Sequence, residues 1–162
     1  MNNRSAAQNE FTRRRFLQLT ALAAGSSVLG FPNLLRARGA NEKLAVGFIG
    51  LGGQGCSRLK EILGCDVNVT ALCDVDEKQI DDARKILADT SFKPKIHLDY
   101  RELLQQDLDA VVIATPDHWH GPIATDALKA GRHVFCEKPL THSVYEAREL
   151  GLLAKQFPRL AT

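Results

Sequence analysis

An apolar run, Lys43-Leu44-Ala45-Val46-Gly47-Phe48-Ile49, ends in Gly50-Leu51-Gly52-Gly53-Gln54-Gly55, and few folds tolerate that junction. The run has the length and composition of a buried strand, and the glycines follow in the order G-x-G-x-x-G. Each glycine answers a separate steric demand. The first permits a tight turn, the second lets backbone approach a pyrophosphate, and the third lets the next helix pack against the strand. The N–H groups that open this helix then face the phosphates. A second apolar strand, Val67 to Cys73, closes on Asp74, whose carboxylate can accept hydrogen bonds from both hydroxyls of a ribose. Strand, glycine turn, helix, second strand and acid together predict a dinucleotide site.

The rest of the chain continues the alternation. A helix over 54–63 buries Leu59, Ile62 and Leu63 and stops at Gly64, and one over 76–88 aligns Ile80, Ala83 and Leu87. Lys95 to Leu98 reads as a short third strand and Tyr100 to Gln106 as a brief helix. Ala110-Val111-Val112-Ile113-Ala114 has the unbroken apolar character of a central parallel strand covered on both faces. Gly121-Pro122 opens a helix with Ile123, Ala127 and Ala130 inward and Gly131 at its end. His133-Val134-Phe135-Cys136 is a fifth strand. Ser143 and Glu146 have capping-box spacing for a helix burying Ala147, Leu150, Leu153 and Ala154. Arg159-Leu160-Ala161-Thr162 reads as the start of a sixth strand. The prediction is a doubly wound parallel α/β sheet in which strands one and four adjoin. Its crevice should be faced by residues 50–55, 115–120 and 137–140.

A chain of 162 residues has room for about one domain, and 44% hydrophobic content is ordinary for such a domain. A net charge of +2 with scattered bases gives no case for nucleic acid. One basic cluster stands apart. Thr12-Arg13-Arg14-Arg15-Phe16-Leu17-Gln18 resembles a twin-arginine export signal and precedes an Ala-rich apolar stretch, 16–30, too short to span a bilayer. Small residues at Ala37 and Gly39 suit cleavage before Ala40. Residues 1–39 are therefore expected to engage the twin-arginine translocation machinery, leaving 40–162 as a periplasmic domain. The alternative is an amphipathic basic helix on a membrane, or an unstructured arm.

Cys56, Cys65, Cys73 and Cys136 show no metal-ligand spacing, and disulfide use is not expected. His118 and His120 lie two apart without an evident third ligand, so no metal site is assigned. Thr115-Pro116-Asp117-His118-Trp119-His120 nevertheless concentrates unusual chemistry after the fourth strand. One reading has this loop touching the nicotinamide ribose and ring. The other is a turn in which Asp117 caps the next helix and the histidines are solvated. Glu137-Lys138-Pro139 follows the fifth strand. A lysine there can hydrogen-bond a substrate hydroxyl and favour its alkoxide character, assisting hydride departure. A salt bridge between neighbouring Glu137 and Lys138 is the alternative.

The glycine loop, Ala114 to His120, Ala130-Gly131-Arg132-His133-Val134 and Glu137-Lys138-Pro139-Leu140 resemble the Gfo/Idh/MocA oxidoreductase family over nearly all of 44–156. The resemblance implies a Rossmann domain followed by a C-terminal α/β domain that covers a sugar and often mediates homo-oligomerisation. That second domain is not expected in this chain, which reads as truncated. By the same resemblance, Gly50, Gly52, Gly53, Gln54 and Gly55 take the pyrophosphate, and Asp74 the adenosine ribose. Thr115, Pro116, His118 and His120 fall near the nicotinamide half, Glu137 between cofactor and substrate, and Lys138 is the catalytic lysine. Asp74-Val75-Asp76 would repel a 2′-phosphate, so NAD is expected, with a sugar or cyclitol as substrate. Three functions stay open: the cofactor domain of an exported sugar or cyclitol oxidoreductase, an exported NAD-dependent glycoside hydrolase, and an inactive cofactor-binding fragment. The hydrolase branch tends to lack the lysine that stands here as Lys138.

Overall fold

Parallel strands cannot be joined by tight turns, so each apolar run is followed by a crossover that returns the chain to the same end of the sheet. A computed structural model describes residues 43–162, and the export signal expected over 1–39 lies outside the described residues. The strands are β1 (Leu44–Ile49), β2 (Val67–Cys73), β3 (Lys95–His97), β4 (Ala110–Ile113) and β5 (His133–Cys136). They lie in the order β3-β2-β1-β4-β5, and all their pairings are parallel. The helices are α1 (Gly53–Ile62), α2 (Glu77–Leu87), α3 (Tyr100–Leu104), α4 (His120–Lys129) and α5 (Val144–Ala154). A short turn of 3-10 helix, Asp117–Trp119, leads into α4. This is the expected doubly wound α/β sheet of Rossmann type.

Side chains alternate across a strand, and β1 therefore feeds two cores. Val46 and Phe48 join Leu59 of α1, Val69 and Leu72 of β2, and Ile80, Ala83 and Leu87 of α2. Ile49 points the other way, toward Leu103, Val111, Ile123, Ala127 and Leu150. Burial of a side chain such as Phe48, which is fully enclosed, contributes about 1.5–3 kcal/mol. Gly47 belongs to the second face. A Cβ there would meet the side chains of Leu103 and Leu108 at 2.9 Å, so the middle of β1 accepts no larger residue without moving them.

Helix starts follow local chemistry. Asp76 accepts the N–H of Lys78 at 2.9 Å before α2, and Asp99 accepts that of Arg101 at 2.8 Å before α3. Ser143 and Glu146 form the expected capping box of α5. That helix packs through Leu150, whereas Ala147, expected inside, is exposed. Arg159 to Thr162 do not continue as a sixth strand. The Leu160 N–H is used in a turn to Phe157 O, which leaves one ladder-like bond, Val134 N–H to Ala161 O, at 2.9 Å.

Candidate functional site

β1 leads to a helix on one face of the sheet and β4 to a helix on the other, so a crevice opens between their ends. Gly50 turns the chain there with φ +88°, and a Cβ on it would lie 2.6 Å from the backbone of Ala114 and Thr115. A left-handed conformation and this contact both demand glycine. At Gly55 a Cβ would come within 2.0 Å of Gly50 O. Gly52 and Gly53 are different, because a Cβ on either would meet nothing within 4 Å. The space above them is open. α1 also begins with no capping side chain and no acid in its first turn. Its leading N–H groups are therefore available to an anion.

The cleft has a volume of about 530 Å³, within the range of small-ligand sites. Gly50, Gly52, Ala114, Thr115 and Pro116 form its floor, and Asp74, Val75, Asp76 and Gln79 one flank. Leu98, Asp99, Tyr100, Arg101 and Trp119 form the other flank. The Asp74 carboxylate accepts the Leu51 N–H at 2.7 Å and the Asp76 N–H at 3.0 Å. Tyr100 donates its hydroxyl to Asp126 at 2.8 Å, and burial together with this bond pushes its phenol up to about 12. Trp119 meets the Tyr100 ring edge-on at 6.3 Å, and the Arg101 guanidinium lies 4.6 Å from the Tyr100 ring centre. Burial, reinforced by Asp74, lifts the Cys73 thiol to about 12, so it serves as unreactive wall. The Thr115 hydroxyl is buried without a hydrogen-bond partner among the described residues. Such orphans are rare, and one on a cleft floor suits a ligand's polar group.

Gly50, Gly52, Asp74, Thr115 and Pro116 thus line the cleft as expected, with Gly53 and Gln54 exposed at the start of α1 and Gly55 buried beneath. His118 is exposed and outside the lining, its Nδ1 3.7 Å from Asp117. His120 is 2% exposed, with Nδ1 2.7 Å from Pro139 O and Nε2 2.8 Å from Thr115 O. It staples the loop after β4 to the loop after β5. Asp117 provides no side-chain cap to the helix that follows.

The segment 137–140, expected to face the crevice, does not line the cleft. Glu137 is buried and bonded instead to Arg58 Nε, with Gln54 as a further donor. The Arg58 bond foremost holds the Glu137 carboxyl below the usual carboxylate range. The neighbouring Glu137–Lys138 salt bridge does not form, and the Lys138 ammonium has no partner among the described residues. Lys138 is exposed, and its peptide bond to Pro139 is cis. Arg58 and the wall from Leu98 to Arg101 were not foreseeable as site residues from motif spacing. The wall follows β3, so only the strand order, with β3 beside β2, brings it to the same rim.

A family model described as an oxidoreductase family with an NAD-binding Rossmann fold, GFO_IDH_MocA, matches residues 44–161. The chain belongs to the Gfo/Idh/MocA oxidoreductase family. Glycosyl hydrolase family 109 protein 1 of Shewanella sp. (strain ANA-3) is 39% identical over 116 residues, covering 67% of this chain and 25% of that relative. An alpha-N-acetylgalactosaminidase of Shewanella oneidensis is 35% identical over 137 residues, covering 79% and 28% respectively. The structure of scyllo-inositol dehydrogenase from Lactobacillus casei with bound NAD(H) and scyllo-inositol superposes with a TM-score of 0.65 at 26% identity. That match covers 74% of this chain and 35% of the other. The chain thus spans about a quarter of the length of these two curated relatives.

This is an NAD-binding domain, and the residues that line the cleft fit the cofactor. The open face of Gly52 and the uncapped start of α1 suit the pyrophosphate, Asp74 a ribose, and the orphan Thr115 hydroxyl a further polar group. Bound NAD supplies a hydride acceptor, which no amino-acid side chain provides.

Proposed function

We propose that this domain is the cofactor half of an oxidoreductase that removes hydride from a hydroxyl of a sugar or cyclitol. The observation that carries the reading is the unpaired Lys138 ammonium at a corner tied to the cleft. His120 lies between the two, one ring nitrogen 2.7 Å from Pro139 O and the other 2.8 Å from Thr115 O on the cleft floor. An ammonium that reaches a reacting hydroxyl donates to its oxygen and favours its alkoxide form. Calorimetric titration with NAD and NADP, with Asp74→Ala as control, tests the first half. Reduction of NAD on a panel of free sugars and cyclitols tests the second. A folded chain with no affinity for NAD would sink the proposal at its first step.

A second reading, an NAD-dependent glycoside hydrolase, draws on the names of the relatives at 35% and 39% identity. Such an enzyme would release nitrophenol from a nitrophenyl α-N-acetylgalactosaminide without net NADH, whereas a dehydrogenase accumulates NADH from free sugar. Lys138 favours the dehydrogenase.

Export is part of the same proposal. Arg13 and Arg14 within Thr12 to Gln18 support delivery to the periplasm by the twin-arginine route. Since that route moves folded proteins, the cofactor would be loaded before transport. Residues 1–42 fused to a reporter should direct it outward, and replacing Arg13 and Arg14 by lysine should retain it in the cytoplasm.

A further inference from the structure

Helix α1 joins two parts of the site. Its N-terminus opens onto the cleft, while Arg58, one turn beyond Gln54, reaches the end of β5. The Arg58 guanidinium is shared by two carboxylates, Nε donating to Glu137 and a terminal nitrogen to Glu61 at 2.5 Å. Glu137 is fixed by its own backbone, since its N–H donates to Ile113 O at 2.9 Å. The two residues stand 79 positions apart in sequence, so the pair exists only in the fold.

A buried carboxylate needs a compensating charge. Glu137 is 8% exposed, and Lys138 directly follows it. Were Arg58 missing, the ammonium next door would be the nearest replacement in sequence, and a lysine committed to Glu137 could not serve a hydroxyl. We infer that Arg58 is a positioning residue: by taking the charge of Glu137 it keeps the Lys138 ammonium uncommitted in the loop after β5. Arg58 acts through Glu137 and touches no substrate. The inference deepens the proposed function and rests on Lys138 as the group that meets the hydroxyl.

Trace acetylation with acetic anhydride, read by peptide mass spectrometry, tests it on the full chain. Exposed Lys93 provides the internal reference. No cofactor or substrate is needed, so the outcome is separate from whether the oxidoreductase reading holds. In Arg58→Ala, labelling of Lys138 should fall roughly two- to fivefold, the size of an exposed ion pair. Arg58→Lys should stay near the parent value, and Arg58→Ala combined with Glu137→Gln should recover it. General loosening of the fold would raise labelling in these variants, the opposite direction. Unchanged or raised labelling in Arg58→Ala overturns the inference. Arg58→Gln repeats the comparison if Arg58→Ala does not fold: the same fall in Lys138 labelling is expected, and unchanged or raised labelling overturns the inference.

Discussion

Asp74 and Leu51 are joined carboxylate to backbone N–H at 2.7 Å, a bond that ties the end of β2 to the glycine loop. The acid that recognises a ribose in such folds therefore also shapes the turn that holds the phosphates. Its other oxygen keeps the Asp76 N–H at 3.0 Å. Asp74→Ala removes both bonds and should lower stability by about 1–3 kcal/mol, measured by denaturant unfolding. The same variant should lose about tenfold or more in NAD affinity by calorimetry. Asp74→Asn should narrow the preference for NAD over NADP, because a charge facing the 2′-phosphate is gone.

Gly52 and Gly55 should separate binding from folding. A Cβ at Gly52 meets nothing within 4 Å and its φ of −63° suits any residue. Gly52→Ala should change stability by no more than about 1 kcal/mol. It should still weaken NAD binding, since the methyl enters the open space over the loop. At Gly55 the added carbon would lie 2.0 Å from Gly50 O, and Gly55→Ala should cost about 3 kcal/mol or more. Thermal melting with and without NAD distinguishes the two.

Acid should expose the Arg58–Glu137 bond. The Glu137 carboxyl titrates below its ordinary value because Arg58 donates to it. A depressed folded-state value means stabilisation that is fully present above about pH 4.3 and lost as the pH falls through the lower folded value. The gap in melting temperature between the parent chain and Glu137→Gln should be widest near neutrality and shrink below about pH 4.

His120 should behave as a structural staple. Replacing it with alanine removes a ring that is 2% exposed and takes the link between the carbonyls of Thr115 and Pro139 with it. The expected cost is about 3 kcal/mol in urea unfolding. His118→Ala should be close to neutral by the same measure, because that ring is exposed.

The glycine loop and the alternation of strand and helix were legible because both follow from local chemistry. Gly50 and Gly55 are required by backbone contacts within a few residues or one strand away, and apolar runs of this kind specify a doubly covered parallel sheet. Asp74 was legible for the same reason, closing a strand at a fixed distance from the loop. What could not be read were pairings made only by tertiary placement. Glu137 looked toward a ligand or toward Lys138, yet its partner is Arg58 across the sheet end. His120 sat in a polar loop and still became buried, because the carbonyls that flank its ring come from two separate loops. Tyr100 and Arg101 read as an ordinary helix start, and the position of β3 at the edge beside β2 made them a wall.

Gly47 carries the last consequence. It lies inside β1 and lines no ligand, yet its missing side chain is what lets Leu103 settle against the sheet. Leu103 belongs to α3, whose first two residues are Tyr100 and Arg101. A side chain at Gly47 would press on Leu103 in the helix that carries this wall. The packing of β1 against α3 thus reaches the crevice from a position that does not line it.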